Sequence, residues 1–364
     1  MIQKLAIIYF TLLILSCRKP EEVDPISLSD RQRVLNSIGS NVITAGFLQF
    51  QMDALGLKIN AEQFINDPVS HQKLNNLKSA WIRCALTWKR ASLFAFGPVD
   101  AQFILEGIYS PPDVAGIENL ISNGSTVIDS SYVSGLGSGY KGILAIEYLI
   151  YRNSKGNSSE IIDSFTVHSN GGRRLAYLKA LVASLQHYSN QTLIRWSRGG
   201  ENYVQTFILS DGNDQNSSIG ILVGRMGQLA SEVRTERVGR PNGLFNNGIP
   251  QPDALDGKLS DESLALLSGE IDAIQSAFLG FRNASTNAVG VNHLLNIVAN
   301  STSRESLGPV ISNQIDTVYA RIRSIKTPMS HALVSNQFLI TDLYKEIEIL
   351  DKLINNEMRE TLNL

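Results

Sequence analysis

Residues 142–151 read GILAIEYLIY, ten positions of which nine are uncharged and one, Glu147, is an acid. The stretch is apolar on nearly every side of a helix, and such a helix belongs inside a core rather than on a surface. An ionised carboxylate taken there without partners costs several kcal/mol, so Glu147 has to be paired, protonated or bound to something positive. The rest of the chain must supply that partner.

Helical periodicity extends to both sides of this segment. From Ser29 onward, apolar residues recur at Leu35, Ile38, Val42, Ala45, Leu48, Met52 and Leu55, with gaps of three or four. A second run, Leu74, Leu77, Trp81, Cys84, Trp88, Ala91 and Ala95, stops at Gly97-Pro98, a pair that ends helices. A third, Leu175, Leu178, Val182, Leu185, Tyr188, Thr192 and Trp196, stops at Gly199-Gly200. Further runs lie near 216–237, 261–279, 304–325 and 337–360, with no alternating strands between them. The expected class is all-α, built from long bundle helices. Trp81, Trp88 and Trp196 fall on the apolar faces and are expected in the core.

The chain has 364 residues, 43% hydrophobic and 18% charged, enough for a large core and about two domains. Its formal charge of -2 gives no electrostatic reason for a nucleic-acid partner. Between 153 and 172 periodicity lapses and Ser, Asn and Gly gather, which is linker chemistry. The expected organisation is therefore a helical domain over 29–152, a linker over 153–172 and a helical bundle over 173–364. Each side opens on a long helix followed by another, which suggests a duplicated arrangement. A second irregular stretch, Arg237 to Ser260, carries three prolines and is long for a bundle connection, so it is a functional loop or a flexible one.

The first residues, MIQKLAIIYFTLLILS, place Lys4 before an apolar run from Leu5 to Leu15, the anatomy of a signal peptide over 1–16. Such a run reaches ~16 Å as a helix, about half the hydrocarbon thickness, so a permanent span is not expected. ILSC, ending at Cys17, resembles a bacterial lipobox, which implies acylation of Cys17 and a bilayer partner. The polar stretch 17–28 then serves as a tether. Its Glu21 and Glu22 resemble the acidic tags of outer-leaflet lipoproteins, although a solvated linker explains the same letters. The second cysteine, Cys84, is left without a disulfide partner.

Motifs for familiar chemistry are missing. The five histidines, His71, His168, His187, His293 and His331, form no ligand-spaced cluster such as H-E-x-x-H with one another and a suitable acid. There is no G-x-S-x-G elbow or Walker loop, and no dinucleotide fingerprint in its strand-to-helix setting. GLGSGYKG, from Gly135 to Gly142, precedes a helix rather than following a strand and reads as a flexible lead into the Glu147 helix.

Taken together, LKSAWIRCALTWKRASLFAFGP at 77–98, the glycine-led GILAIEYLIY and RVGRPNG at 237–243 resemble the imelysin-like family, also classed as peptidase family M75. The resemblance spans nearly the whole mature chain. The family signature is G-x-H-x-x-E inside an apolar helix; Gly142 and Glu147 match it, and Leu144 stands at the histidine position. The resemblance implies two helical bundles with a site between them, a place in the bacterial envelope, an association with iron or haem uptake and a metal-dependent peptidase activity. Positions 144 and 147 face the same way on a helix, so a histidine and a glutamate there could share one ligand. Leucine has no lone pair, and one carboxylate is a poor site for a divalent transition metal.

Glu147 thus has three readings. It is a structural anchor neutralised by Arg83, Lys89 or Arg90 or held by the hydroxyl of Tyr140 or of another copy's Tyr148, a metal ligand completed from other helices, or an acid or base. Arg195 and Arg198 suit a helix C-terminus, with anion binding as the alternative. Arg234, Arg237 and Arg240 are expected on a solvated face or at the border of a cleft. The expected function is that of an outer-membrane-anchored, non-enzymatic accessory to iron, haem or related nutrient acquisition, with an iron or haem ligand or an outer-membrane uptake protein as partner. The alternatives are a metal-dependent peptidase holding iron or another divalent metal through outside ligands, and a membrane-associated scaffold binding through the 237–260 loop.

Overall fold

The computed structural model describes residues 24–100, 104–123, 126–152, 157–281 and 288–364. The expected leader and Cys17 lie outside the described residues. Among the described residues there are helices and no strands. In chain order they are α1 (Leu28–Ser37), α2 (Ala45–Ile65), α3 (His71–Ser92), α4 (Ile104–Ile108), α5 (Val114–Asn123), α6 (Ser130–Gly135) and α7 (Ile143–Tyr151). There follow α8 (Ser158–Thr166), α9 (Gly171–Trp196), α10 (Tyr203–Leu209), α11 (Ser218–Glu232) and α12 (Ser263–Leu279). The last are α13 (Val291–Thr302), α14 (Leu307–Ser324), α15 (Met329–Ser335), α16 (Gln337–Lys352) and α17 (Arg359–Thr361). Three π-helical segments, Ile38–Thr44, Val233–Gly239 and Leu353–Met358, continue α1, α11 and α16. No described helix is long and apolar enough to cross a membrane.

Local chemistry sets several of the starts. The hydroxyls of Ser70, Ser217 and Ser306 accept backbone N–H bonds from Lys73, Gly220 and Gly308, satisfying donors that the first turn leaves open. At the other end of α12, Gly280 takes φ 82°, a left-handed stop that costs a glycine little.

Helix α3 is the hub. It packs along α2 on one side and α12 on another, and meets α7. Its whole predicted stripe, Leu74, Leu77, Trp81, Cys84, Trp88, Ala91 and the following Ala95, is buried. Trp196 is buried in an aromatic cluster with Phe47, Phe96, Tyr203 and Phe207. The tryptophans therefore stand in the core, as expected.

The first predicted run departs from expectation halfway. Leu35, Ile38 and Val42 are buried, but Leu48 and Met52 are 46% and 54% exposed, and the buried face of α2 is Phe47, Phe50, Ala54 and Leu57. The π-helical segment 38–44 is the reason. Its i→i+5 bond, from the Ala45 N–H to the Ser40 carbonyl, adds a residue to the turn and rotates the apolar stripe of everything after it.

The 153–172 stretch also differs from a bare linker. Residues 158–166 form α8, which buries Ile161, Ile162 and Phe165 and sets Phe165 edge-on to Phe64 at 5.3 Å. Three apolar residues among serines are too few to show a period. Helix α9, expected to open the C-terminal bundle, lies along α2 and also meets α7 and α8.

Candidate functional site

Helix α7 is held between α3, α8 and α9, and every residue from Ile143 to Ile150 is buried. Contacts at both ends fix it. Trp81 on α3 donates its indole N–H to the Ile143 carbonyl at 2.8 Å, and its ring meets Tyr151 edge-on at 5.5 Å. Gly142 caps the helix at φ 86°, where a Cβ would stand 2.5 Å from the Ile108 carbonyl oxygen at the end of α4. Both the left-handed backbone and the close approach require glycine. Gly142→Ala should cost about 1–3 kcal/mol in a urea unfolding titration, because the obstacle is backbone and cannot swing aside.

Glu147 is 4% exposed, and its partner comes from the proline-containing loop. Its Oε1 accepts the Ser260 N–H at 2.9 Å and the Ser260 hydroxyl at 2.8 Å. Burial pushes the carboxyl up and the two Ser260 bonds pull it back, leaving it at about 7. Gly257, at φ 63°, tightens the loop so that its carbonyl accepts the Glu262 N–H and stands 3.1 Å from the Ser260 hydroxyl oxygen. None of the basic partners expected for Glu147 pairs with it. Lys89 and Arg90 bind other acids, Tyr140 lies by Asp113, and Tyr148 donates to Glu118 at 2.6 Å, where Arg174 also binds.

Lys89 instead founds a buried ionic network beside Glu147. Its ammonium lies 2.8 Å from Asp256 and 2.7 Å from Glu270, and 4.2 Å from the centroid of the Tyr109 ring. Arg237 reaches the same two acids through Nε, at 3.2 and 3.1 Å. Burial would raise the Asp256 carboxyl, but Lys89 and Arg237 outweigh it and hold that carboxyl low. Burial, then the Asp256 carboxylate, pushes the Tyr109 phenol well up. Gly269 allows the approach of α12, since a Cβ there would stand 3.1 Å from the Lys89 Cβ.

Arg237 thus corrects the expectation of a solvated face: the π-helical turn 233–239 swings it inward onto two carboxylates. Arg240 stays exposed on Glu236, and Arg234 pairs with Asp351 at 3.1 Å. Arg195 binds Glu201 at 3.0 Å, while Arg198 is exposed.

As a metal centre the arrangement is poor. Leu144, one turn before Glu147, is buried and offers no donor, and Glu147 Oε1 already accepts two bonds from Ser260. Among the described residues no three His, Cys, Asp or Glu side chains converge to hold an ion. A carboxyl near 7 has the proton affinity of an acid or base, yet the cavities flanking the network are lined by Lys89, Arg237 and Glu270 and not by Glu147.

Sequence reasoning missed Ser260, Asp256, Glu270 and Tyr109. One signal was present: in SLALLSGEIDAI the acids are Glu270 and Asp272, and Glu270 falls on the helix face of Leu266, Leu267 and Ile274, an acid among apolar residues as at Glu147. Ser260 carries no such mark.

Helices alone among the described residues, with the Glu147 helix buried between three others, define an all-α class of protein. The imelysin (peptidase M75) family model matches residues 43–353, and the chain belongs to that family. Two crystal structures share the fold. One is an imelysin-like protein from Psychrobacter arcticum 273-4, with TM-score 0.74 and 15% identity, covering 93% of this chain and 97% of that one. The other, from Parabacteroides distasonis ATCC 8503, is provisionally described as an iron-regulated protein A precursor, with TM-score 0.69 and 18% identity, covering 91% and 96%. No curated protein matches the chain.

Proposed function

We propose that this imelysin is a non-enzymatic binding or accessory component of the bacterial envelope, anchored through an acylated Cys17 and serving iron, haem or related nutrient acquisition. The observation that carries the reading is the partner of Glu147: its Oε1 is taken by a serine N–H and hydroxyl, while Leu144 one turn earlier is buried and offers no lone pair. Membership of the family and the iron-regulated description of one structural neighbour support the nutrient assignment. The ionic network beside Glu147 supports binding over catalysis, since its two cations and two acids neutralise one another and leave no activated nucleophile.

Elemental analysis of the purified chain tests the assignment. It should show no stoichiometric iron or zinc, and the protein should not cleave casein in a chelator-sensitive way. Leu144→His should raise zinc retention, by adding an imidazole one turn from the acid. Stoichiometric metal in the unaltered protein would overturn the reading in favour of a peptidase with outside ligands. Anchoring has its own test: Cys17→Ala should move the mature chain from the membrane to the soluble fraction, and a variant that still sediments with membranes refutes it.

A further inference from the structure

A cavity of about 290 Å³ opens beside the ionic network, between α3, α4, α11 and the π-helical turn 233–239. Three features of its lining differ in chemistry. At its inner end is Arg237. The guanidinium uses Nε for Asp256 and Glu270, and its two Nη atoms make no hydrogen bond among the described residues. Four N–H donors in a planar fork are therefore available, with the geometry that fits a carboxylate edge-on.

The rim carries two acids. Glu106 is exposed, Glu232 accepts only from Gln228, and neither forms an ion pair among the described residues. The rim cation, Arg225, is committed to Asp100 at 3.1 Å. Uncommitted negative charge and an uncommitted donor fork thus line the same cavity. Between them the wall is apolar, with Trp88, Leu93, Leu105 and Leu229 lining the cavity.

The geometry points to a site for a small zwitterion with an apolar body, a free amino acid of the leucine or phenylalanine type. The carboxylate seats on the Arg237 Nη fork, the ammonium faces Glu106 and Glu232, and the side chain lies on the Trp88 and Leu229 wall. The volume is near the lower end for ligand pockets and matches a compact molecule. Lys89 and Arg237 are balanced by Asp256 and Glu270, so a ligand of zero net charge adds no uncompensated charge to the interior. This assignment rests on the binding-protein reading but not on its link to iron.

The test is calorimetric titration of the full mature chain with L-leucine, against two probes that each lack one charge: 3-methylbutylamine, without the carboxylate, and 4-methylpentanoate, without the ammonium. L-Leucine should bind one to one, and each control at least about tenfold more weakly, since each forfeits charge-assisted hydrogen bonds. Arg237→Lys keeps the charge and loses the fork, and should weaken leucine binding about tenfold. Ser92→Trp, on the half-buried cavity wall and outside the ionic network, should abolish it by filling the space while circular dichroism stays unchanged. The assignment is overturned if leucine shows no saturable binding at millimolar concentration, if either control binds as tightly, or if Ser92→Trp binds as well as the parent. Metal content and proteolysis are independent readouts, so a failure here leaves the accessory reading standing, and stoichiometric metal would sink that reading without touching this titration.

Discussion

Lys89→Met should destabilise the chain by about 3–5 kcal/mol, the largest single-residue effect expected in the molecule. Lys89 is 2% exposed and lies on both Asp256 and Glu270, so its removal leaves two buried carboxylates facing one guanidinium. Methionine preserves most of the stem volume, which separates the charge effect from a cavity effect. The measurement is the shift in the urea unfolding midpoint at neutral pH. Adding Glu270→Gln to Lys89→Met should recover more than half of the loss, because the surviving Arg237–Asp256 pair is balanced. If the double variant is as unstable as the single one, the ammonium matters for packing and not for charge.

Glu147 yields the second large effect, and its signature is a pH dependence. Its carboxyl titrates at about 7 in the folded chain against an ordinary 4.5. Between those values the folded state holds a proton that the unfolded state has released, so stability falls as pH rises through that window. Below 4.5 both states are protonated and the contribution is fully present; above about 7 it has gone. At 1.36 kcal/mol per pH unit the wild type should lose roughly 3 kcal/mol, relative to Glu147→Gln, between about pH 4 and pH 8. Glutamine keeps a carbonyl acceptor for the Ser260 N–H and hydroxyl and does not titrate, which makes it the proper reference. Parallel stability curves for the two proteins across this range would show that the acid is not buried against Ser260 as described.

Much of the architecture could be read from spacing. The α3 stripe from Leu74 to Ala95 and the α9 stripe ending at Trp196 are written at three- and four-residue intervals and are buried or half-buried where expected. The motif helix was legible for the same reason: nine uncharged residues around one acid cannot face water. Reading failed where a helix changed pitch. The π-helical turn at 38–44 rotates the residues beyond it and carries Leu48 and Met52 outward, and within the one at 233–239 Arg237 turns inward. Nothing in the local pattern of apolar residues distinguishes a π turn from an α turn, since both satisfy the backbone.

Glu147 had a wider field of suitors than the sequence could narrow. Lys89 and Arg90, the basic residues nearest in a helical reading, went instead to acids on α12 and on the loop before it. Ser260 lies 113 residues from Glu147. Its selection depends on the tight turn at Gly257 and on the packing of α12 against α3, which are properties of the assembled chain.

By itself the sequence determined that the long apolar-striped segments are helical, that α7 lies inside the molecule and that its acid needs company. These properties come from local periodicity and from the cost of burying charge, both of which act within one helix. Only the tertiary structure decided that the company is a serine, that Lys89 and Arg237 neutralise Asp256 and Glu270, and that an open guanidinium edge faces a cavity. Those pairings join residues far apart in the chain, and an ion or hydrogen-bond donor chooses its partner by distance in space, for which spacing in sequence carries no record.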